Sequence, residues 1–184
     1  MMSLRKLESK RRIMANTSTS KYAYIECDPN LCVGCQLCEY MCSYTKNGEY
    51  NSYRSRIRTV RVDEVLITAI ACRTCENAPC VIVCPRDALT QDPLTGIIDI
   101  NATKCDGCAW CIEACDFGAI SINPATTLAE ICDLCKDEPD GPQCVKWCPK
   151  EALKKTTPDQ SAQRTRRKLV VGTLDIPSKA TEPK

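Results

Sequence analysis

The sequence predicts a small α+β fold assembled from repeated loop–helix–strand modules, on three observations. The 17 cysteines of the 184-residue chain fall into four quartets with one left over. After three of the quartets the chain repeats itself, as Cys84-Pro-Arg-Asp-Ala-Leu-Thr, Cys115-Asp-Phe-Gly-Ala-Ile-Ser and Cys148-Pro-Lys-Glu-Ala-Leu-Lys, at intervals the length of one supersecondary unit. Large apolar side chains are scarce, with one Phe and two Trp, so something besides apolar burial must hold the chain together.

In chain order, Tyr22–Cys27 reads as a strand that enters the first quartet, Cys32-x2-Cys35-x2-Cys38-x3-Cys42. Residues 54–70 alternate Arg with Ile, Thr and Val before running apolar, which predicts an inserted strand or hairpin whose four arginines form a solvated or docking face. The second quartet is Cys72-x2-Cys75-x4-Cys80-x3-Cys84, followed by Pro85. Asp92-Pro93 and Gly96 mark a turn before a strand over Thr95–Asn101. The third quartet, Cys105-x2-Cys108-x2-Cys111-x3-Cys115, repeats the first spacing, and the fourth is Cys132-x2-Cys135-x8-Cys144-x3-Cys148, followed by Pro149. Each unit is expected to run as cysteine loop, short helix, then a strand closing over the loop.

Composition excludes much chemistry. The chain has no His, so a His-ligated haem, a Cys₂His₂ finger, a Rieske centre and a Ser-His-Asp triad are ruled out. The N-terminus lacks the apolar stretch of a signal peptide, and the Arg11-Arg12 pair is read as an accidental likeness to an export motif. No window reaches 18 apolar residues, so a membrane span is not expected. The expected location is cytoplasmic, where thiols stay reduced and cysteines bind metal in preference to pairing.

Two quartets carry the C-x2-C-x2-C-x3-C run of bacterial ferredoxins outright, the ligand pattern of [4Fe–4S] clusters, and the other two keep its ends and widen one gap. A cubane offers four iron corners, and each takes one thiolate. A loop with Cys at every third position wraps three corners while its N–H groups point at the anionic sulfurs. The fourth Cys falls on a short helical turn, and in two-cluster ferredoxins it ligates the other cluster. Zinc takes one or two CxxC pairs and does not need a trailing fourth Cys. The expected fold is therefore α+β, with tandem, nested two-cluster ferredoxin-like modules, an inserted strand or hairpin, and extended tails.

These motifs, with Pro79 before Cys80, Gly141-Pro142 in the long Cys135–Cys144 gap and the Cys-Pro ends of quartets two and four, resemble the four-cluster iron–sulfur subunits of the dimethyl-sulfoxide-reductase type. Related polyferredoxins serve molybdenum and tungsten oxidoreductases, and the match covers roughly residues 22–155. The resemblance implies four [4Fe–4S] clusters with ligands exchanged between quartets. One set is Cys32, Cys35, Cys38 and Cys148, and a second is Cys132, Cys135, Cys144 and Cys42. A third is Cys72, Cys75, Cys80 and Cys115, and the last is Cys105, Cys108, Cys111 and Cys84. It implies two modules, residues 22–71 with 116–155 and residues 72–115, between a basic arm (1–21) and a basic tail (156–184). Ser43 and Asp116 depart from the pattern after the fourth Cys of their quartets and are expected to tune the local turn geometry.

The implied function is electron transfer without substrate chemistry, since a fully Cys-ligated cubane has no open iron corner and the sequence supplies no general base or phosphate loop. The implied partner is a catalytic molybdenum or tungsten subunit, most specifically an aldehyde-oxidising tungsten enzyme, with a flavin subunit or ferredoxin as the other redox partner. The competing class is an iron–sulfur enzyme or sensor with one substrate- or oxygen-reactive cluster, which would need a quartet short of one thiolate. Cys27 is expected to be a buried free thiol.

Residues 1–21 carry six Lys/Arg and one acid, and residues 150–184 nine and four, leaving a body with a formal charge of −8. The tails lack the aromatics or reading motif of a nucleic-acid binder. They are expected to be flexible at 16–20 and 176–184. Residues 1–21 and 160–175 are further read as assembly arms that order only in a complex and support self-association.

Overall fold

The computed structural model describes residues 21–63 and 66–173; the expectations for the N-terminal arm up to residue 20 and for residues 174–184 lie outside the described residues. Strand β1, Tyr24–Cys27, leads into the first cysteine loop and helix α1, Leu37–Asn47. Helix α1 stops at Gly48, whose φ of 73° and N–H bond to the Tyr44 carbonyl form a left-handed cap. A 3₁₀ turn at Ser52–Arg54 precedes the hairpin β2 (Arg58–Val62) and β3 (Leu66–Ile70). This is the inserted hairpin expected from residues 54–70.

Then come two similar units. Helix α2, Pro79–Val83, is followed by β4 (Leu89–Gln91) and β5 (Ile98–Ile100), and helix α3, Trp110–Glu113, by β6 (Ile120–Ile122) and β7 (Ala129–Ile131). Their turns match. Asp92 Oδ1 accepts the Leu94 N–H at 2.9 Å, and Asn123 Oδ1 accepts the Ala125 N–H at 2.9 Å, so each X-Pro pair opens an Asx turn. The strand expected over Thr95–Asn101 is shorter because residues 95–97 complete that turn. Helix α4, Gln143–Lys146, leads to β8, Leu153–Thr156.

The described strands pair as four antiparallel ribbons, β1–β8, β2–β3, β4–β5 and β6–β7. In the β1–β8 ribbon Tyr24 faces Thr156 and Cys27 faces Leu153, so the two ends of the cysteine-bearing body are stitched together. Helix α1 packs on α4, and α2 on α3. The interior mixes Ile25, Ile57, Leu89, Ile98, Ile120 and Ile131 with cysteines, since three-residue ribbons have little else to bury.

Two tail and hairpin expectations need correction. The segment 160–175, expected to order only in a complex, is already helical as far as Thr173 in helix α5, Pro158–Thr173. Its start is a capping box: Thr157 Oγ1 accepts the Gln160 N–H at 3.4 Å, and Gln160 Oε1 accepts the Thr157 N–H at 3.2 Å, with Pro158 at the first helical position. The arginines before and on β2 do not form one solvated face. Arg54 pairs with Glu49, Arg56 with Asp133, and Arg58 donates to the Ser52 and Tyr53 carbonyls; only Arg61 is exposed.

Candidate metal centres

Each quartet opens with a CxxC loop, and the residue before its second Cys takes the same left-handed backbone. These are Gly34 (φ 67°), Thr74 (φ 47°), Gly107 (φ 71°) and Leu134 (φ 56°). A left-handed residue in a tight turn directs successive N–H groups to one side, forming a concavity for anionic sulfur. Gly107 is also required by space, because a Cβ there would lie 2.3 Å from the Thr127 carbonyl oxygen. Thr74 and Leu134 carry the conformation at a cost of roughly 1–2 kcal/mol each. Thr74 is fully buried, and its hydroxyl donates to the Ala23 carbonyl at 2.8 Å.

The loops bring the cysteines together around voids. Cys32, Cys35, Cys38 and Cys148 line one, Cys72, Cys75, Cys80 and Cys115 a second, and Cys84, Cys105, Cys108 and Cys111 a third. Mouths included, these measure about 360, 390 and 340 Å³, nearly equal. In every case the fourth thiol comes from a different quartet. Cys42, Cys132, Cys135 and Cys144 form the remaining group: charge on Cys42 acts on the other three thiols, and all four residues are buried. Cys27 stands outside these groups. It is half-buried rather than buried, lies beside Cys32, and has its thiol pKa raised by burial.

Backbone donors reach the sulfurs. Thr74 donates to Cys72 Sγ at 3.4 Å, Ala88 to Cys84 Sγ at 3.3 Å, Ala119 to Cys115 Sγ at 3.5 Å and Arg56 to Cys42 Sγ at 3.4 Å. Cys38 Sγ lies 3.8 Å from Thr59 Oγ1. Two of the three recurring Ala residues four positions past the fourth Cys, Ala88 and Ala119, thus lend their backbone N–H to that sulfur. Against these donors, burial pushes the thiols up, Cys38 and Cys80 to about 12 and Cys72 to about 11, with Cys132 and Cys144 also raised strongly. Such thiols stay protonated unless a cation enters the void, and a coordinating metal deprotonates a thiol outright.

The donor set suits a polynuclear occupant. A zinc ion binds four ligands at about 2.0–2.3 Å from one point. Among the described residues no three His, Cys, Asp or Glu side chains converge as a single ion requires. Four thiols spread around a void, with N–H groups aimed at sulfur, fit an iron–sulfur cubane, which presents one iron to each. The groups also follow one another. Cys132 is influenced by Cys72, and Cys144 by Cys38, so the buried group has the Cys72 and Cys32 groups as neighbours. At the Cys32 end Cys35 is exposed beside Val33, and in the third void Cys108 is exposed beside Trp110.

Several polar neighbours were not singled out from the sequence. Glu39 Oε1 accepts the Thr59 N–H at 2.5 Å next to Cys38, and Asp133 holds both Lys46 and Arg56. Glu39 and Asp133 each follow a cysteine directly in the sequence, and that adjacency was the available signal.

Comparison with known proteins agrees with the cysteine chemistry. Residues 63–157 match the 4Fe–4S dicluster domain family. YsaA of Escherichia coli (strain K12) is 37% identical over 139 residues, covering 71% of this chain and 87% of that protein. The thiosulfate reductase electron transfer subunit PhsB of Salmonella typhi is 34% identical over 158 residues, covering 79% of this chain and 81% of PhsB. Electron transport protein HydN of Escherichia coli (strain K12) is 33% identical over 151 residues, covering 71% and 85%. On the family match, the similarity to these relatives and the cysteine loops together, the chain belongs to the 4Fe–4S dicluster domain family.

Proposed function

We propose that the protein is a non-catalytic electron-transfer subunit that relays single electrons through four [4Fe–4S] clusters, one for each group of four cysteines. The ligand sets are Cys105, Cys108, Cys111 with Cys84; Cys72, Cys75, Cys80 with Cys115; Cys132, Cys135, Cys144 with Cys42; and Cys32, Cys35, Cys38 with Cys148. When bound, each cluster supplies a one-electron site without an open iron corner. The observation that carries the reading is the sharing of three voids by cysteines of two quartets each, with a fourth, fully buried group beside two of them and an exposed cysteine at Cys35 and at Cys108. Electron transfer in the name of PhsB and electron transport in that of HydN support it.

The chain's own residues hold the thiolates in place, supply N–H groups to the sulfurs and keep water from the inner group. The nested modules, 22–71 with 116–155 and 72–115, follow from the exchanged ligands, and the β1–β8 ribbon supports the first of them. The partner is a catalytic molybdenum or tungsten oxidoreductase subunit, in its most specific form an aldehyde-oxidising one, with a second redox protein at the other end. Among the described residues no helix is long and apolar enough to cross a membrane. An anaerobic preparation should hold about sixteen iron and sixteen sulfide per chain, bleach in the visible on reduction, and copurify with a larger oxidoreductase subunit. Zinc in place of iron, or saturation at two clusters, would defeat the proposal.

A further inference from the structure

The four cysteine groups are not electrostatically equivalent. Cys42 and Lys46 lie one turn apart on α1 and so share a face. Lys46 Nζ sits 2.7 Å from Asp133 Oδ2, and the Arg56 guanidinium 3.1 Å from the same oxygen. The other carboxylate oxygen, Asp133 Oδ1, accepts the Cys135 N–H at 3.1 Å. Two cations and one anion are thereby locked against the one group whose four cysteines are all buried, with the Lys46 and Asp133 side chains only 10% and 12% exposed.

The neighbouring group has the opposite arrangement. Glu39 adjoins Cys38 and is 4% exposed, and among the described residues its carboxylate has one hydrogen bond, from the Thr59 N–H, and no ion pair. One side-chain triad brings net positive charge to the inner group, while a lone buried carboxylate brings negative charge to the next.

Reduction of a four-thiolate cubane adds one electron and one unit of negative charge, with no bond made or broken. Burial disfavours that added charge, and nearby fixed charges act strongly where water is excluded. We propose, on the basis of the relay reading above, that Lys46 and Arg56 are positioning residues that hold up the reduction potential of the cluster at Cys42, Cys132, Cys135 and Cys144. Glu39 correspondingly holds down that of the cluster at Cys32, Cys35, Cys38 and Cys148. The electron that leaves one cluster is the electron its neighbour gains, so these side chains set the size of that step.

The test is an anaerobic redox titration of the full chain, followed by electron paramagnetic resonance, with a one-electron reductant and mediators. In Lys46→Met one component should shift to lower potential, and Lys46→Arg should restore it. In Glu39→Gln, which keeps the acceptor for Thr59, a different component should shift to higher potential. Iron content should match the unmodified protein in each. Full iron content with unmoved potentials in both Lys46→Met and Glu39→Gln overturns the inference and leaves the relay reading intact. If Lys46→Met loses iron, Glu39→Gln and Lys46→Gln decide by the same criterion. Unmodified protein without four reducible clusters would sink the relay reading itself.

Discussion

The backbone N–H of Ala88 points at Cys84 Sγ from 3.3 Å, while Cys84 faces the void lined by Cys105, Cys108 and Cys111 rather than that of its own quartet. One peptide group thus fixes the sulfur that ties two successive cysteine loops together. Ala119 repeats the bond to Cys115, which faces the void of Cys72, Cys75 and Cys80. These two bonds orient the fourth thiol of each quartet toward the void of the other.

Cys84→Ser should therefore damage the cluster held by Cys105, Cys108 and Cys111 and spare the one held by Cys72, Cys75 and Cys80. The mutant should lose up to one cluster's iron, or keep it with an altered resonance from one component only. Site-selective loss at the Cys72 group would contradict the exchange. Ala88→Leu should act on the same cluster by a different route, since Ala88 is 1% exposed and lines that void. Overpacking of this kind costs about 1–3 kcal/mol, readable as a lower Tm together with reduced iron.

Gly107→Ala tests the loop backbone. Its added Cβ would meet the Thr127 carbonyl oxygen at 2.3 Å, and the position needs a positive φ that alanine adopts at a cost of roughly 1 kcal/mol or more. A sharp drop in Tm and loss of iron from one cluster are expected. Gly48→Ala, also at positive φ but with open space around it, should show only the backbone part of that cost. Equal effects in the two variants would mean that the close approach of Thr127 is unimportant.

The cysteine groups were legible from spacing because ligation chemistry repeats in sequence. The groupings of three plus one came from resemblance and are proposed above as ligand sets; spacing alone does not say which quartet lends its fourth Cys to which loop. The α5 helix was legible too, in Thr157-Pro158-Asp159-Gln160, but the basic composition of the tail pointed to a loose arm and obscured the capping box. The inward turn of Arg54, Arg56 and Arg58 was not legible. Glu49 and the carbonyls of Ser52 and Tyr53 are reached because the chain folds back at the 3₁₀ turn, and Asp133 comes from the distant fourth loop; strand alternation carries neither piece of information.

Removing the metal should unfold the body. The described ribbons away from the β2–β3 hairpin are only three or four residues per strand, and much of what they bury is cysteine. Without cations the raised thiol pKa values leave neutral SH groups around the voids, with nothing to cross-link the loops. Circular dichroism after anaerobic chelation in the presence of a thiol reductant should lose its native shape, and reconstitution with iron and sulfide should recover it. A native spectrum retained after full iron removal would show that apolar packing suffices.

Helix α5 should behave as a separable element. It is held to the body by polar contacts: Ser161 Oγ donates to Glu26 Oε1 at 2.5 Å, Arg164 pairs with Glu26 and donates to Thr156 Oγ1 at 3.0 Å, and Lys168 pairs with Asp28 at 3.0 Å. The Lys168 contact holds the Asp28 carboxyl below its ordinary range. Partly exposed pairs of this kind contribute up to about 1 kcal/mol each and are screened by salt. Truncation after Thr157 should therefore leave iron content and reduction potentials unchanged. In the full chain, Arg164→Ala should speed amide exchange across residues 158–173, with added salt producing the same change in the unmodified protein. Leu169 and Val170, 66% and 55% exposed, give the helix no apolar anchor to resist this loss. If truncation instead strips the cluster at Cys32, Cys35, Cys38 and Cys148, the helix acts as a brace for the β1–β8 ribbon and is not separable.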